Sequence, residues 1–324
     1  MILKERYEQD LRLISSLQGW MVFAILILAL LLLPVVAPAY AYLAALFMVY
    51  ALAAIGLNLL VGFTGQISLG HAGFFAVGAY TLGFLVTLKV PFLLALIAAA
   101  LVSGLLGYVV GIPALKLEGP YLAIATSGFG LAMQQVVANT PAFGGHSGLI
   151  LEKPVILGIS FARDRDYYYI VLVVALFLVF VAFNLARSHI GRAFVAVRDA
   201  ELAAQTSGVN LRAFKTLAFA ISAMYAGVAG ALFAPLLGII APESFGLALS
   251  IQFLSMIVIG GVGTVAGAIL GAGLVALLQD WLSQVGSLAA LLYGLVVLLV
   301  MVLEPLGLYG RWLKFKVYWK GWPF

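Results

Sequence analysis

The fold class that this sequence predicts is an all-α polytopic membrane protein, with about ten transmembrane helices in two inverted five-helix halves. Three observations predict it. Of 324 residues, 65% are hydrophobic and only 9% charged, with a mean hydropathy of +1.18, far above the roughly 45–50% apolar usage of soluble domains. The apolar residues fall into ten runs, most near the roughly 20 residues that a bilayer core requires. Lysine and arginine gather at the edges of those runs with a strong bias toward one side.

Taken in order, residues 1–19 hold Lys4, Arg6 and Arg12 among Glu5, Glu8 and Asp10, with Leu11, Leu13, Ile14 and Leu17 on one helical face. That pattern reads as a cytoplasmic surface helix leading into the membrane. The spans of a single permease domain, 20–305, follow at 20–36, 40–62, 67–88, 91–112 and 120–138, then at 167–186, 216–240, 247–262, 263–280 and 287–305. The short pair within 247–280 also fits one span plus a re-entrant piece. Residues 306–324 form a basic, aromatic cytoplasmic tail.

With the N-terminus inside, cytoplasmic segments hold 13 of the 17 lysines and arginines. Only Lys89, Lys153, Arg163 and Arg165 fall outside, as the positive-inside rule asks. Both termini are therefore expected in the cytoplasm. The net charge of +5 marks orientation rather than nucleic-acid binding, because the basic residues form no single patch interleaved with exposed aromatics. With no cysteine and only three histidines, neither a disulfide nor a metal site is expected.

The stretch from Gly56 to Thr81 departs from a plain apolar helix. Gly62, Gly65, Gly70 and Gly73 punctuate it, and Asn58, Thr64, Gln66, Ser68 and His71 add uncharged hydrogen-bonding groups. Such a segment is tolerated in hydrocarbon only inside protein or beside a water-filled cavity. It reads as a helix break near 62–70 bordering a solute path, although small residues for close helix packing explain part of it. A second glycine-rich stretch near 259–267, with Gly260, Gly261, Gly263 and Thr264, answers it in the other half. Paired interrupted helices of inverted repeats point to a substrate route.

Missing chemistry narrows the function. No phosphate-binding Gly-x-x-x-x-Gly-Lys-Ser/Thr loop occurs, and no acid or base sits at the centre of a span. Asp280 and Glu304 lie near span ends, and Lys89 and Lys116 lie in connections. Proton- or sodium-coupled carriers commonly keep an intramembrane carboxylate, so the energy is expected from another subunit. No catalytic residue is expected. The charged cytoplasmic loop at 187–215 is where an external motor could grip: Asp199 can cap a short helix of about two turns, Glu201 lies in its first turn and Gly208 can end it.

Gly56-Leu-Asn-Leu-Leu-Val-Gly, Gly65-Gln-Ile-Ser-Leu-Gly-His-Ala-Gly-Phe-Phe, Gly119-Pro-Tyr-Leu-Ala-Ile-Ala-Thr-Ser-Gly-Phe-Gly, Arg198-Asp-Ala-Glu-Leu-Ala-Ala and Ile259-Gly-Gly-Val-Gly-Thr-Val-Ala-Gly together closely resemble the branched-chain amino acid ABC permeases. The Gly119–Gly130 motif resembles the LivM-type subunit. The resemblance implies a LivH-type permease partner, two ABC ATPase subunits that carry ATP and Mg, and a periplasmic solute-binding protein, in a bacterial or archaeal inner membrane. It implies a ten-helix fold akin to the ribose and vitamin B12 importer permeases, no cofactor on this chain, and ATPase coupling through Arg198, Asp199, Glu201 and Gly208. In this loop the glycine stands one place further from the Glu-Ala-Ala-like element than in ABC permeases at large. Urea and aromatic-acid permeases share these motifs, and a self-contained carrier or channel is the reading from a different class.

Overall fold

The computed structural model describes residues 17–117, 119–156, 159–284, 286–304 and 307–321. The surface helix expected over 1–19 therefore lies almost wholly outside the described residues. Thirteen α-helices follow one another among the described residues: α1 (Leu17–Val36), α2 (Ala41–Thr64), α3 (His71–Thr87), α4 (Phe92–Ala114), α5 (Pro120–Ala138), α6 (Asp164–Arg187), α7 (His189–Asp199), α8 (Glu201–Thr206), α9 (Leu211–Leu237), α10 (Leu247–Gly260), α11 (Val265–Ser283), α12 (Ala289–Leu303) and α13 (Gly307–Gly321). Four two-residue strands sit in the connections. Antiparallel pairs join β1 (Leu149–Ile150) to β4 (Ile239–Ile240) and β2 (Val155–Ile156) to β3 (Ile159–Ser160).

Among the described residues, seven helical stretches are long and apolar enough to cross a membrane, and 24–36, 71–87 and 247–260 are shorter apolar helices. At 1.5 Å per residue the 17 residues of α3 and the 14 of α10 reach about 25 and 21 Å. Neither matches a hydrocarbon core of about 30 Å, so their ends must be met by backbone and side chains from other helices.

Two long apolar helices, α2 and α9, form the centre. Most of their residues are buried, whereas α12 buries none. Helix α9 packs against α2, α3 and α4 at once, and small residues permit the approach. A Cβ on Gly78 would strike the backbone of Gly227, and one on Gly230 would strike that of Phe75, so main chains touch where lipid offers helices no hydrophobic drive to associate.

Tyrosine hydroxyls close backbone gaps at the periphery. Pro34 lies inside α1 and removes the N–H that would bond the Leu30 carbonyl. Tyr168 donates its hydroxyl to that carbonyl at 2.8 Å, and Tyr169 donates to Leu31 O at 3.2 Å. Elsewhere Tyr167 bonds Leu232 O and Tyr225 bonds Leu178 O, both at 2.8 Å. Each of these contacts joins two helices through a main-chain acceptor.

The structure corrects two expectations about the connections. Residues 187–215 are not one loop with a single short helix, since α7 and α8 occupy it along with the start of α9. Nor do the two glycine-rich stretches occupy equivalent places. One follows a long helix and precedes a short one (α2 to α3), and the other follows a short helix and precedes a long one (α10 to α11).

Candidate functional site

Helix α2 ends because Gly65 takes φ +73°, a left-handed conformation that residues with a Cβ avoid. Gly65 N–H bonds Val61 O at 3.1 Å, and Gln66 N–H reaches back to Leu60 O at 3.3 Å, a pairing that terminates the helix. The Gly62 carbonyl, which a continuing helix would have bonded to Gln66, is left over. Arg198 Nη1 donates to it at 2.8 Å, while Arg198 Nε bonds Asp199 Oδ1 at 2.8 Å. A cation at a helix C-terminus also meets the negative end of its dipole.

The second glycine stretch arrives at the same point. Gly261 (φ +126°) and Gly263 (φ +80°) turn the chain between α10 and α11, and Thr264 Oγ1 caps α11 by accepting from Gly267 N–H at 3.2 Å. Asn58 on α2 satisfies both ends of its amide there. Its Nδ2 donates to Thr264 O at 2.7 Å, and its Oδ1 accepts from Gly263 N–H at 2.8 Å. A side chain on Gly62 would strike Gly263, and one on Gly307, at the start of α13, would come within 2.6 Å of Gly261 N. Two breaks more than 190 residues apart in sequence therefore share one junction, with Arg198 at its edge.

The connection between α2 and α3 turns Gln66, Ser68 and Gly70 inward and leaves Gly65 and Ile67 exposed. Leu69 N–H bonds Thr126 Oγ1 of α5 at 3.0 Å, Ala72 N–H bonds Ser250 Oγ of α10 at 3.0 Å, and His71 Nε2 lies 3.1 Å from Ala53 O. A Cβ on Gly70 would collide with the Thr126 carbonyl. Asn58, Thr64, Gln66, Ser68 and His71 are all buried, and Thr264 is half-buried. Thr64 is satisfied by Leu60 O at 2.6 Å. Gln66 Nε2, Ser68 Oγ and His71 Nδ1 lack partners among the described residues, so three unmet polar atoms cluster within six residues of chain.

Two of the glycines expected to break helices do not. Gly62 lies within α2 and Gly73 within α3, where their absent side chains allow close approach to Gly263 and Gly130. Gly65 and Gly70 bound the first connection. Gly260 ends α10, and Gly261 and Gly263 form the second turn.

The segment at 187–215 is built differently from its sequence reading. Ser188 caps α7, its Oγ accepting from Ile190 and Gly191 N–H at 3.2 and 3.3 Å. Asp199 is the last residue of α7 and not the cap of the next helix; Ala200 takes that place without a side-chain bond. Helix α8 has six residues, fewer than two turns, and Gly208 follows it at φ +88°. Glu201 holds α8 to α9 through an ion pair with the largely buried Lys215 at 2.6 Å. Asn210 caps α9 by accepting from Ala213 N–H at 3.2 Å. No group of three metal-binding side chains occurs among the described residues.

Sequence reasoning missed Thr126, Ser188, Asn210, Lys215 and Ser250. Thr126 and Lys215 lie inside stretches already singled out, and the Asn210 cap precedes a recognisable helical run. Nothing in the local sequence marks Ser250.

The pattern described as "Branched-chain amino acid transport system / permease component" matches residues 39–303, from the start of the central bundle to the end of α12. The chain belongs to this family. It is a multi-pass membrane permease component of a branched-chain amino acid ABC transport system and not a catalytic subunit. It is 35% identical over 82% of its length, and 68% of the relative's, to the high-affinity branched-chain amino acid transport system permease protein LivM of Escherichia coli. The LivM protein of Salmonella typhimurium is 36% identical over 81% of this chain and 68% of its own. The high-affinity branched-chain amino acid transport system permease protein BraD of Pseudomonas aeruginosa is 27% identical over 81% of this chain and 92% of its own. No solved structure matches this chain.

Proposed function

We propose that this permease crosses an inner membrane ten times as two inverted halves, with both termini cytoplasmic, and passes branched-chain or related hydrophobic amino acids delivered by a periplasmic binding protein. It works beside a LivH-type permease subunit and two ATPase subunits, which hold the ATP and Mg. The observation that carries this reading is the bond from Arg198 to the Gly62 carbonyl at 2.8 Å. Helices α7 and α8 are the cytoplasmic lever, docked on the ATPases through α8. Lys215 and Glu201 fix the lever to α9, and Arg198 delivers its displacement to the end of α2 and the turn at Gly261–Thr264. The buried Gln66, Ser68 and His71 border the solute route and open to it when that junction shifts. Their unmet hydrogen-bonding atoms support this role, because an unpaired buried group is costly and is relieved by water or solute.

The test is Arg198→Ala, with Glu201→Lys beside it, in the complete transporter reconstituted in vesicles. ATP hydrolysis should continue and still respond to loaded binding protein, while uptake falls at least about tenfold, the equivalent of losing roughly 1.4 kcal/mol of coupling. Uptake that stays coupled in both variants returns α7 and α8 to the role of a plain connector.

A further inference from the structure

We infer that the groove between the end of α4 and the start of α9 is a site for the headgroup of an anionic phospholipid. A cavity of about 1130 Å³ opens there, just above the roughly 300–1,000 Å³ that small-molecule sites span. Its charged lining is Lys116, Glu201, Arg212 and Lys215. Lys215 and Glu201 neutralise one another at 2.6 Å. Lys116 and Arg212 are exposed and have no ion-pair partner among the described residues, so among those residues the lining holds two positive charges that no ion pair neutralises.

The wall below those charges is apolar. Tyr108 and Ile112, half-exposed at 50% and 51%, line the same cavity on the last turns of the apolar helix α4, just before it reaches Lys116. The groove thus sits at the level where a membrane helix leaves hydrocarbon. Cations in the upper part and open apolar surface below match a molecule with a phosphate at one end and acyl chains at the other. Basic pockets between helices at the membrane boundary are the recurrent setting for such headgroups. A free anion has no use for the apolar wall, and a protein surface would have to leave the lipid-facing turn of α4 uncovered.

The site has a further consequence for the lever. It shares Glu201 and Lys215 with the anchorage of α8 on α9, so a bound headgroup would tie the end of α4 to the start of α9, beside that anchorage, through its contacts to Lys116 and Arg212. Lipid occupancy then stiffens the anchorage without touching the Arg198 junction.

The experiment uses the complete transporter, purified and delipidated, with fluorescent phosphatidylglycerol as probe and phosphatidylcholine and inorganic phosphate as competitors. Lys116→Gln with Arg212→Gln should weaken phosphatidylglycerol binding by about thirtyfold, from two surface cations near a lipid phosphate. The charge-preserving pair Lys116→Arg with Arg212→Lys should bind nearly as the native chain does, and neither competitor should displace the probe. Should the double glutamine variant fail to assemble, Lys116→Gln alone changes an exposed residue and should give about a fivefold loss. Undiminished binding in the glutamine variants overturns the proposal, as does displacement of the probe by inorganic phosphate. Loss of ATPase subunits from the glutamine variants with lipid binding intact also overturns it and makes the groove a protein interface.

Discussion

Two connections carry the chain from a long central helix to a short one, and they are closed by different means. Between α2 and α3, residues 65–70 and the helix ends that flank them are met by side chains from elsewhere: Thr126 accepts from Leu69 N–H, Ser250 accepts from Ala72 N–H, and Arg198 donates to Gly62 O. Between α9 and α10, residues 238–246 are held by main-chain pairing of β4 with β1 and by aromatic packing. Phe245 sits among Phe75, Tyr80 and Phe233 at ring separations of 6.0, 5.6 and 6.5 Å, and Tyr80 bonds Ile240 O at 3.1 Å. A joint made by single side-chain bonds to backbone can exchange partners with a small rotation. A paired strand seated on four rings cannot. On this contrast the first connection is expected to move and the second to serve as the pivot.

The strongest way to break that comparison is to fill both joints. Gly70→Leu drives a side chain into the Thr126 carbonyl, and overpacking of this kind typically costs about 1–3 kcal/mol or more. Uptake in vesicles should be abolished at near-normal expression. Gly246→Ala meets nothing closer than 3.7 Å at an ordinary φ of −75° and should transport normally. Equal damage from both changes would erase the difference between joints.

Smaller changes sharpen it. Asn58→Ala leaves Gly263 N–H and Thr264 O without their partner, and a buried unsatisfied group costs about 1–3 kcal/mol. Tyr80→Phe removes a single bond worth about 0.5–1.5 kcal/mol while keeping the ring packed. The melting temperature of the purified complex should drop more for Asn58→Ala, and only that variant should lose coupled uptake. A transport defect in Tyr80→Phe with an intact Asn58→Ala would reverse the roles of pivot and moving joint.

The smallest expected effect is at His71. Removing its ring by His71→Ala frees Ala53 O and should change the maximal uptake rate a few-fold, since it alters the route rather than the capture of solute. Apparent affinity should stay that of the binding protein. A large affinity shift at constant maximal rate would assign recognition to this buried segment.

How much of this was legible in advance depends on the range of the interactions. Apolar helices announce themselves locally, and 120–138 was read to the residue because Pro120 and Asn139 bound a run of membrane length. The polarity of the 64–71 segment was equally visible. Its partners were not: Arg198 meets Gly62 across 136 residues and Asn58 meets Thr264 across 206, separations on which periodicity says nothing. The 189–199 helix was taken for loop because its charges obey the positive-inside rule and its cap, Ser188, precedes a histidine and a glycine rather than an apolar run. Gly62 and Gly73 were taken for breaks because glycine serves both turning and close packing, and only the neighbour's position decides which.

The bond from Tyr168 to the Leu30 carbonyl also bears on how the chain is made. Pro34 has removed that carbonyl's helical donor, and the replacement hydroxyl lies 138 residues downstream. At synthesis rates of about 5–20 residues per second, roughly 7–30 seconds pass before it emerges. During that interval the first helix is inserted but unfinished, carrying an acceptor that hydrocarbon penalises. It cannot take its final seat until α6 arrives beside it, so this peripheral helix is expected to dock late, lingering near the insertion machinery where water or another chain can serve the open carbonyl.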